Sequence, residues 1–214
     1  GKSAFRRCSS LLEITIPSSV KQIDDYVFGE CTSLKEVTIL SSLTQIGKSA
    51  FRKCSSLTNI AIPSSVTQIG DDSFDECSLL KQISLPSSLT QIGKLLFNEC
   101  SSLTKVTIPS SATQIGDYAF LGCTSLTEIL IPSSVKSIGN YALYDCSSLT
   151  KVTMPSSVNE IGDFVFKGCS LLTQISIPTN VKKVGDSVFK GCSSLTQIII
   201  PSFVTQIGDF AFSG

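Results

Sequence analysis

Residues 115–137 read IGDYAFLGCTSLTEILIPSSVKS, and nearly all of the chain on either side repeats this 23-residue stretch. The cysteines establish the period, because each one lies 23 residues after the previous one. They are Cys8, Cys31, Cys54, Cys77, Cys100, Cys123, Cys146, Cys169 and Cys192. A phenylalanine stands three residues before every cysteine except Cys146, where Leu143 takes its place. Self-similarity at a fixed period of about 20–50 residues is typical of stacked repeats, so the sequence predicts a solenoid.

The period runs through the whole chain. No linker or change of composition interrupts it, so we expect residues 1–214 to form a single array of about nine 23-residue repeats. Gly1 and Gly208 occupy the same position of the repeat, so the sequence starts and stops within a repeat, without a polar cap. Because solenoids need capping repeats to stay soluble, we expect this chain to be a fragment of a longer protein.

Composition argues against several classes of function. The 17 basic and 17 acidic side chains cancel and form no run of one sign, so we expect no nucleic-acid partner. No apolar segment approaches the roughly 18 residues of a membrane span. The chain has no histidine and no G-x-S-x-G motif, and its many serines recur at turn positions. We therefore expect a protein that is not an enzyme and that carries no cofactor.

Each repeat contains one clear strand signal. In the stretch Leu126–Ile131, the alternation predicts a strand with Ile129 and Ile131 facing inward and Leu130 facing outward. Pro132 should end this strand, because proline cannot donate to a sheet ladder.

The rest of the repeat should return the chain to the core. Val135 and Ile138 are expected to face inward, with a second short strand around them. Asp117 is placed to cap free amides at the start of a helical or 3₁₀ turn over residues 118–120, which Gly122 would end.

The cysteines share one slot, between an inward phenylalanine and an inward leucine. A free cysteine behaves as a small buried hydrophobe, so we expect a column of buried thiols. Disulfides between adjacent copies remain an alternative, because neighbouring strands lie about 4.8 Å apart. The odd number of cysteines disfavours that alternative. No metal site is expected, since there is neither histidine nor a C-x-x-C pair.

The pattern I-G-x-x-A-F-x-x-C-S-S-L-T-x-I-x-I-P-S-S-V-T resembles the BspA-type leucine-rich repeats of bacterial and protist surface proteins, and the resemblance covers the whole chain. It implies a leucine-rich-repeat solenoid with a parallel β-sheet on the concave face, and short helical or 3₁₀ turns and short strands on the other side. It also implies adhesion to host proteins or to other cells. The chain departs from the common leucine-rich pattern where that pattern has an asparagine. This position holds Ser19, Ser42, Ser65, Ser88, Ser111, Ser134, Ser157, Asn180 and Phe203.

The outward strand positions are the predicted binding surface, since solenoids bind through extended concave faces. The middle of the array is favoured, because lysines, a glutamate and a leucine interrupt an otherwise uncharged polar face there. The predicted site residues are Lys105, Thr107, Glu128, Leu130, Lys151 and Thr153. A second row of aromatic residues could anchor a partner or pack on itself, and it comprises Tyr118, Tyr141 and Phe164.

Two functions follow from these features. The first is a non-catalytic adhesion module of a cell-surface or secreted protein, whose partner is a host-surface, matrix or other cell-surface protein. The alternative is a cytoplasmic scaffold for protein–protein interaction, because nine unpaired thiols suit a reducing compartment. A hydrolase is a third, weaker reading that rests only on surface carboxylates and serines.

Exposed apolar ends predict end-to-end self-association in addition.

Overall fold

The computed structural model describes residues 1–40 and 42–214, and it is a solenoid in which most copies contribute two short strands. The first strand of a copy has three or four residues, and these strands form what we call the long-strand sheet: β1 Glu13–Ile16, β3 Glu36–Ile39, β6 Gln82–Ser84, β8 Lys105–Thr107, β10 Glu128–Leu130, β12 Lys151–Thr153, β14 Gln174–Ser176 and β16 Gln197–Ile199. The second strand has two residues, and these strands form the short-strand sheet: β2 Gln22–Ile23, β4 Gln45–Ile46, β5 Gln68–Ile69, β7 Gln91–Ile92, β9 Gln114–Ile115, β11 Ser137–Ile138, β13 Glu160–Ile161, β15 Lys183–Val184 and β17 Gln206–Ile207.

All strand pairs are parallel and in register, one copy apart. Glu128 lies beside Lys151 and Leu130 lies beside Thr153, as a 23-residue period requires. The long-strand sheet is interrupted, with β1–β3, β6–β8 and β10–β12–β14–β16 as its hydrogen-bonded groups. The third copy contributes only a bridge between Asn59 and Gln82. These findings confirm the predicted solenoid and the second short strand of the repeat.

The core is a set of columns that run along the solenoid. Ile129 and Ile131 are 2% exposed and Leu130 is 67% exposed, which confirms the predicted alternation. The phenylalanines stack on one another with ring centroids 5.3 to 5.7 Å apart, as between Phe97 and Phe120 at 5.5 Å. Leu143 fills the same slot and is fully buried. One copy cannot cover such a row of side chains by itself, so stacking is what buries them.

The segment between the two sheets differs from the prediction. Among the described residues there is no helix, and residues 117–122 form a series of tight turns. Tyr118 has a φ of 58°, and this left-handed backbone prevents a right-handed helical turn. The amides of Tyr118, Phe120 and Gly122 instead donate to carbonyls of the next copy at 2.8–2.9 Å. Alternate amides bond within the turn, as Leu121 does to the carbonyl of Tyr118 at 3.2 Å, so the turn is held both by its own bonds and by the next copy.

Asp117 also has a different role from the predicted cap. Its Oδ1 accepts a hydrogen bond of 2.8 Å from the backbone amide of Asn140 in the next copy. Asn140 does the same for Asp163 at 2.8 Å, and Asp163 does so for Asp186 at 2.9 Å. These residues form a ladder along the solenoid axis, which we call the aspartate ladder.

Serines take over at the position where the common leucine-rich pattern has asparagine. Ser65, Ser111 and Ser157 donate from Oγ to a carbonyl of the preceding copy at 2.6 to 2.9 Å. Asn180 donates from Nδ2 to Ser156 at 2.7 Å. In the described part of the chain, the buried Oγ of Ser134 has no hydrogen-bond partner. A short hydroxyl can therefore replace the asparagine amide in linking successive turns.

The cysteine column is buried as predicted, with one exception. All nine cysteines are free and eight are buried, whereas Cys8 is exposed because no earlier copy of this chain stacks on it. Each buried thiol donates to a backbone carbonyl of the preceding copy, that of Leu143 for Cys169 and of a phenylalanine for the others, as Cys123 does to Phe97 at 3.2 Å. Burial raises the pKa of Cys77 and Cys123 well above the usual range and that of Cys192 to about 11.

Candidate interaction surfaces

The long-strand sheet brings the predicted site residues together. The side chains of β8, β10 and β12 that point away from the core line a shallow recess of about 310 Å³. All six predicted residues line it and all are exposed: Lys105, Thr107, Glu128, Leu130, Lys151 and Thr153. Their adjacency follows from the period of 23, because equivalent positions of consecutive copies lie side by side in a parallel sheet.

Charge alternates across this recess. Glu128 lies in register with Lys151, and Lys105 occupies the same position of the preceding copy. In the part of the chain that the structure describes, neither lysine forms an ion pair with Glu128. Solvent screens such charges and leaves them available to a partner. Leu130, which is 67% exposed, lies among them.

A second recess continues the same surface toward the C-terminal copies. It has a volume of about 340 Å³, and β12, β14 and β16 line it. Ile199 is 62% exposed there and Met154 is partly buried at its edge. Leu130 and Ile199 are therefore the two large apolar side chains that this sheet presents to solvent in its C-terminal half.

The aromatic row packs on itself. The ring of Tyr141 stacks on Tyr118 at 4.9 Å and on Phe164 at 4.6 Å, with interplanar angles of 6° and 5°. The ammonium groups of Lys94 and Lys167 lie 5.7 Å from the outer rings, over Tyr118 and Phe164. Since the ring faces are already covered by rings and cations, only the ring edges are open to a partner.

The short-strand sheet carries larger recesses that the sequence interpretation missed. One has a volume of about 920 Å³ and the other about 710 Å³, and they share Asp71, Gln91 and Gly93. They form one continuous groove along the solenoid, which we call the polar trough. Its signal in the sequence was the column of glutamines that comprises Gln22, Gln45, Gln68, Gln91 and Gln114. The sequence interpretation assigned no role to that column.

Glycines form the floor of the polar trough because the copies approach too closely for side chains. A Cβ on Gly139 would lie 2.5 Å from the amide nitrogen of Asp117, and one on Gly70 would lie 2.5 Å from that of Lys48. The walls are the outward strand residues on one side and the aspartate ladder on the other.

Within the described residues, no cluster of three metal-ligating side chains is present. A membrane-spanning helix, long and apolar enough for that role, is likewise not found in the described parts of the chain.

Comparisons with known proteins agree with this architecture. The chain matches the family described as the BspA type leucine rich repeat region over residues 1–127 and 91–214. Because these matches span the whole sequence, the chain belongs to the BspA-type leucine-rich repeat family. Leucine-rich repeats of this type are scaffolds for protein interaction. A comparison with curated proteins finds no significant match.

Solved structures give the same result. A leucine-rich repeat protein of T. pallidum is 33% identical, with a TM-score of 0.68 over 71% of this chain and 73% of that one. A leucine rich cell surface protein of Faecalibacterium prausnitzii is 32% identical, with a TM-score of 0.68 over 100% of this chain and 73% of that one. A leucine-rich repeat protein of Eubacterium ventriosum is 26% identical, with a TM-score of 0.55 over 100% and 79%. The fold is thus shared with bacterial leucine-rich repeat proteins.

Proposed function

We propose that the chain is a non-catalytic protein-binding module of a cell-surface adhesion protein, and that it binds through the long-strand sheet. The observation that carries this proposal is the recess around Leu130. An exposed leucine bordered by Lys105, Glu128 and Lys151 has the layout of a small hot spot with a charged rim. The rim charges set association rate and partner choice, and the leucine supplies desolvated contact.

The arrangement of the serines supports a role without catalysis. Ser65, Ser111 and Ser157 have their hydroxyls committed to carbonyls of the preceding copy. A nucleophilic serine needs a base within hydrogen-bond reach, and the chain contains no histidine to act as one.

One observation supports a surface location, and another removes the main argument against it. The relative from F. prausnitzii, which is 32% identical, is named a leucine rich cell surface protein. The nine free thiols had favoured a cytoplasmic scaffold, but their burial weakens that argument. Eight of the nine are buried, and burial raises the pKa of thiols such as Cys77 and Cys123, so little reactive thiolate forms. Such thiols persist in an oxidising environment as well as in a reducing one.

The test changes Lys105, Glu128, Leu130 and Lys151 to serine together and measures binding to candidate host-surface and matrix proteins. We expect unchanged melting, because all four side chains are exposed, and affinity at least about thirtyfold lower, as for loss of a hot spot of about 2 kcal/mol. The matched control is Glu13→Ser with Glu36→Ser, which alters the same strand position near the other end of the sheet. A bound partner that holds the quadruple variant as tightly as the parent would move the site elsewhere, with the row of Tyr118, Tyr141 and Phe164 next to be changed.

A further inference from the structure

The polar trough is long, continuous and lined by groups in fixed positions. It passes eight strands of the short-strand sheet, from β2 to β15, which corresponds to about 30–35 Å at a strand spacing of about 4.8 Å. Nothing in the proposed function uses this face, which is built from other strands than the recess around Leu130.

One wall of the trough is held in place before any ligand arrives. Asp71 and Asp117 each use Oδ1 to accept a backbone amide of the next copy, at 2.9 and 2.8 Å. Asn140 uses its Oδ1 in the same way at 2.8 Å. The second polar atom of each side chain, an acceptor on the aspartates and a donor on the asparagine, remains available. Such pre-ordering lowers the entropic cost of binding.

The opposite wall carries a primary amide at five successive strands, from Gln22 on β2 to Gln114 on β9, and then Ser137, Glu160 and Lys183 on β11, β13 and β15. Gln45 donates from Nε2 to Oε1 of Gln68 at 3.1 Å, so neighbouring amides are aligned along the axis. Gln91 and Gln114 continue the row and are exposed. An amide offers both donors and an acceptor, which is the combination that neighbouring hydroxyl groups of a ligand require.

Charge and apolarity narrow the class of ligand. The groups that line the trough include five carboxylates and four ammonium groups, so neither a polyanion nor a polycation is favoured: Asp24, Asp25, Asp71, Asp117, Glu160, Lys48, Lys94, Lys182 and Lys183. None of the described residues that line the trough is aromatic, and its isoleucines belong to the strands of the short-strand sheet. A protein partner would need the aromatic or apolar anchors that dominate protein interfaces.

An extended peptide also fits poorly, because the trough crosses the strands instead of following a sheet edge. Peptides that add to a sheet are held by free backbone groups of an edge strand. Along the trough the backbone groups of Gln114 and Ile115 face neighbouring strands on both sides, in register with β7 and β11. Only side chains are left for recognition, and they recur at one strand spacing.

We propose that the polar trough binds a neutral polysaccharide chain that lies along the solenoid axis. The advance of a pyranose unit in an extended chain is close to the strand spacing of about 4.8 Å, so each sugar meets one copy of the repeat. Its hydroxyls donate to the fixed oxygens of Asp71 and Asp117, and they exchange hydrogen bonds with the amides of Gln91 and Gln114. The glycine floor admits the ring close to the backbone.

The first experiment measures binding of neutral hexasaccharides by calorimetry, with β-1,4-linked glucose, N-acetylglucosamine and mannose as probes. We expect at least one hexamer to bind, its dimer to bind at least about tenfold more weakly because it reaches fewer copies, and a hexauronate of the same linkage to bind more weakly. No binding of any neutral hexamer at millimolar concentration would overturn the proposal. Equal binding of dimer and hexamer, or preference for the hexauronate or for a polar peptide of similar length, would do so too.

The second experiment uses variants. Gln91→Ala with Gln114→Ala should weaken hexamer binding about tenfold, because the lost amide hydrogen bonds to the sugar are replaced only in part by water. Asp117→Asn keeps the ladder bond, as Asn140 shows, but replaces the outer acceptor by a donor, and it should also weaken binding without lowering the melting temperature. Glu13→Ser with Glu36→Ser, on the other sheet, is the matched control and should leave hexamer binding unchanged. Hexamer affinity that survives both trough variants would overturn the assignment, whatever the outcome of the protein-binding test.

Discussion

Phe120 occupies a core slot whose tolerance the chain itself displays, because Leu143 fills the same slot one copy later and both are fully buried. We expect Phe120→Ala to lower the free energy of unfolding by about 3–5 kcal/mol, since a cavity would open beside Phe97. Phe120→Leu should cost much less, because a leucine already packs in this column. Urea denaturation of the two variants measures the difference, and equal destabilisation would show that the slot is not core.

Glu30 and Glu99 occupy the same slot three copies apart, and their pKa values move in opposite directions. Hydrogen bonds from Arg6 and Arg7 lower the pKa of Glu30 from 4.5 to about 2. Burial and the neighbouring Glu76 raise the pKa of Glu99 above 4.5. The charge on Glu30 therefore stabilises the fold at neutral pH, and that contribution is lost as the pH falls from 4.5 toward 2. The charge on Glu99 destabilises the fold, and this is relieved as the pH falls through its raised pKa.

We expect Glu30→Gln to lower the melting temperature at pH 7 and Glu99→Gln to raise it. Both differences should shrink in acid, that of Glu99→Gln at a higher pH than that of Glu30→Gln, because the raised pKa is reached first. Thermal melts between pH 7 and pH 2 give the comparison, with Glu36→Gln on the long-strand sheet as a control. Shifts of the same sign for the two variants at pH 7 would contradict the assigned environments.

At the level of elements, the aspartate ladder links successive turns from Asp117 to Asp209. Asp117→Ala removes the acceptor for the amide of Asn140, and we expect a loss of about 0.5–1.5 kcal/mol in stability. Asp117→Asn should leave the stability unchanged, because Asn140 makes the equivalent bond to Asp163 at 2.8 Å. Hydrogen exchange at the Asn140 amide reports the bond directly. If that amide is equally protected in the alanine variant, the ladder is not what holds it.

The buried thiols of the cysteine column should not react with alkylating reagents in the folded protein. Cys8 is exposed, whereas the other eight thiols are buried and donate to carbonyls of the preceding copy. We expect rapid alkylation of one thiol in native buffer and of nine in denaturant without reductant, counted by mass spectrometry. Fewer than nine labels in denaturant would indicate disulfides between copies.

The elements also show what the sequence could and could not predict. The two-residue period of the strand predicted correctly that Ile129 and Ile131 are buried and that Leu130 is exposed. The 23-residue period then predicted that the six residues of the Leu130 recess lie side by side. The turn at Tyr118 was misread because its amides bond to the next copy, a contact that a local pattern of glycine and aspartate does not reveal. The polar trough was missed for a related reason, since it exists only where several copies stack.

At the level of the whole molecule, the two ends differ from the middle. Phe203 and Phe210 are each 67% exposed in the last copy, and Phe5 is 41% exposed in the first. The strands β16 and β17 have a hydrogen-bonded neighbour on one side only, as do interior strands at the interruptions of the sheets, such as β3 and β5. Phe5 belongs to the core phenylalanine column, whose interior members such as Phe120 are fully buried between neighbouring copies.

We therefore expect the 214-residue chain to self-associate end to end as its concentration rises, because open strand edges and exposed apolar side chains favour pairing with another chain. Phe203→Ser with Phe210→Ser, or a polar capping repeat fused after Gly214, should reduce association. The control Leu130→Ser removes an equally exposed apolar residue from the middle of the array and should leave the association unchanged. Sedimentation velocity over a hundredfold range of concentration separates the cases. If the parent chain stays monomeric over the whole concentration range, its ends, although apolar, lack the complementarity that stacked copies have. If the Leu130→Ser variant associates more weakly than the parent, the contact lies on the long-strand sheet instead.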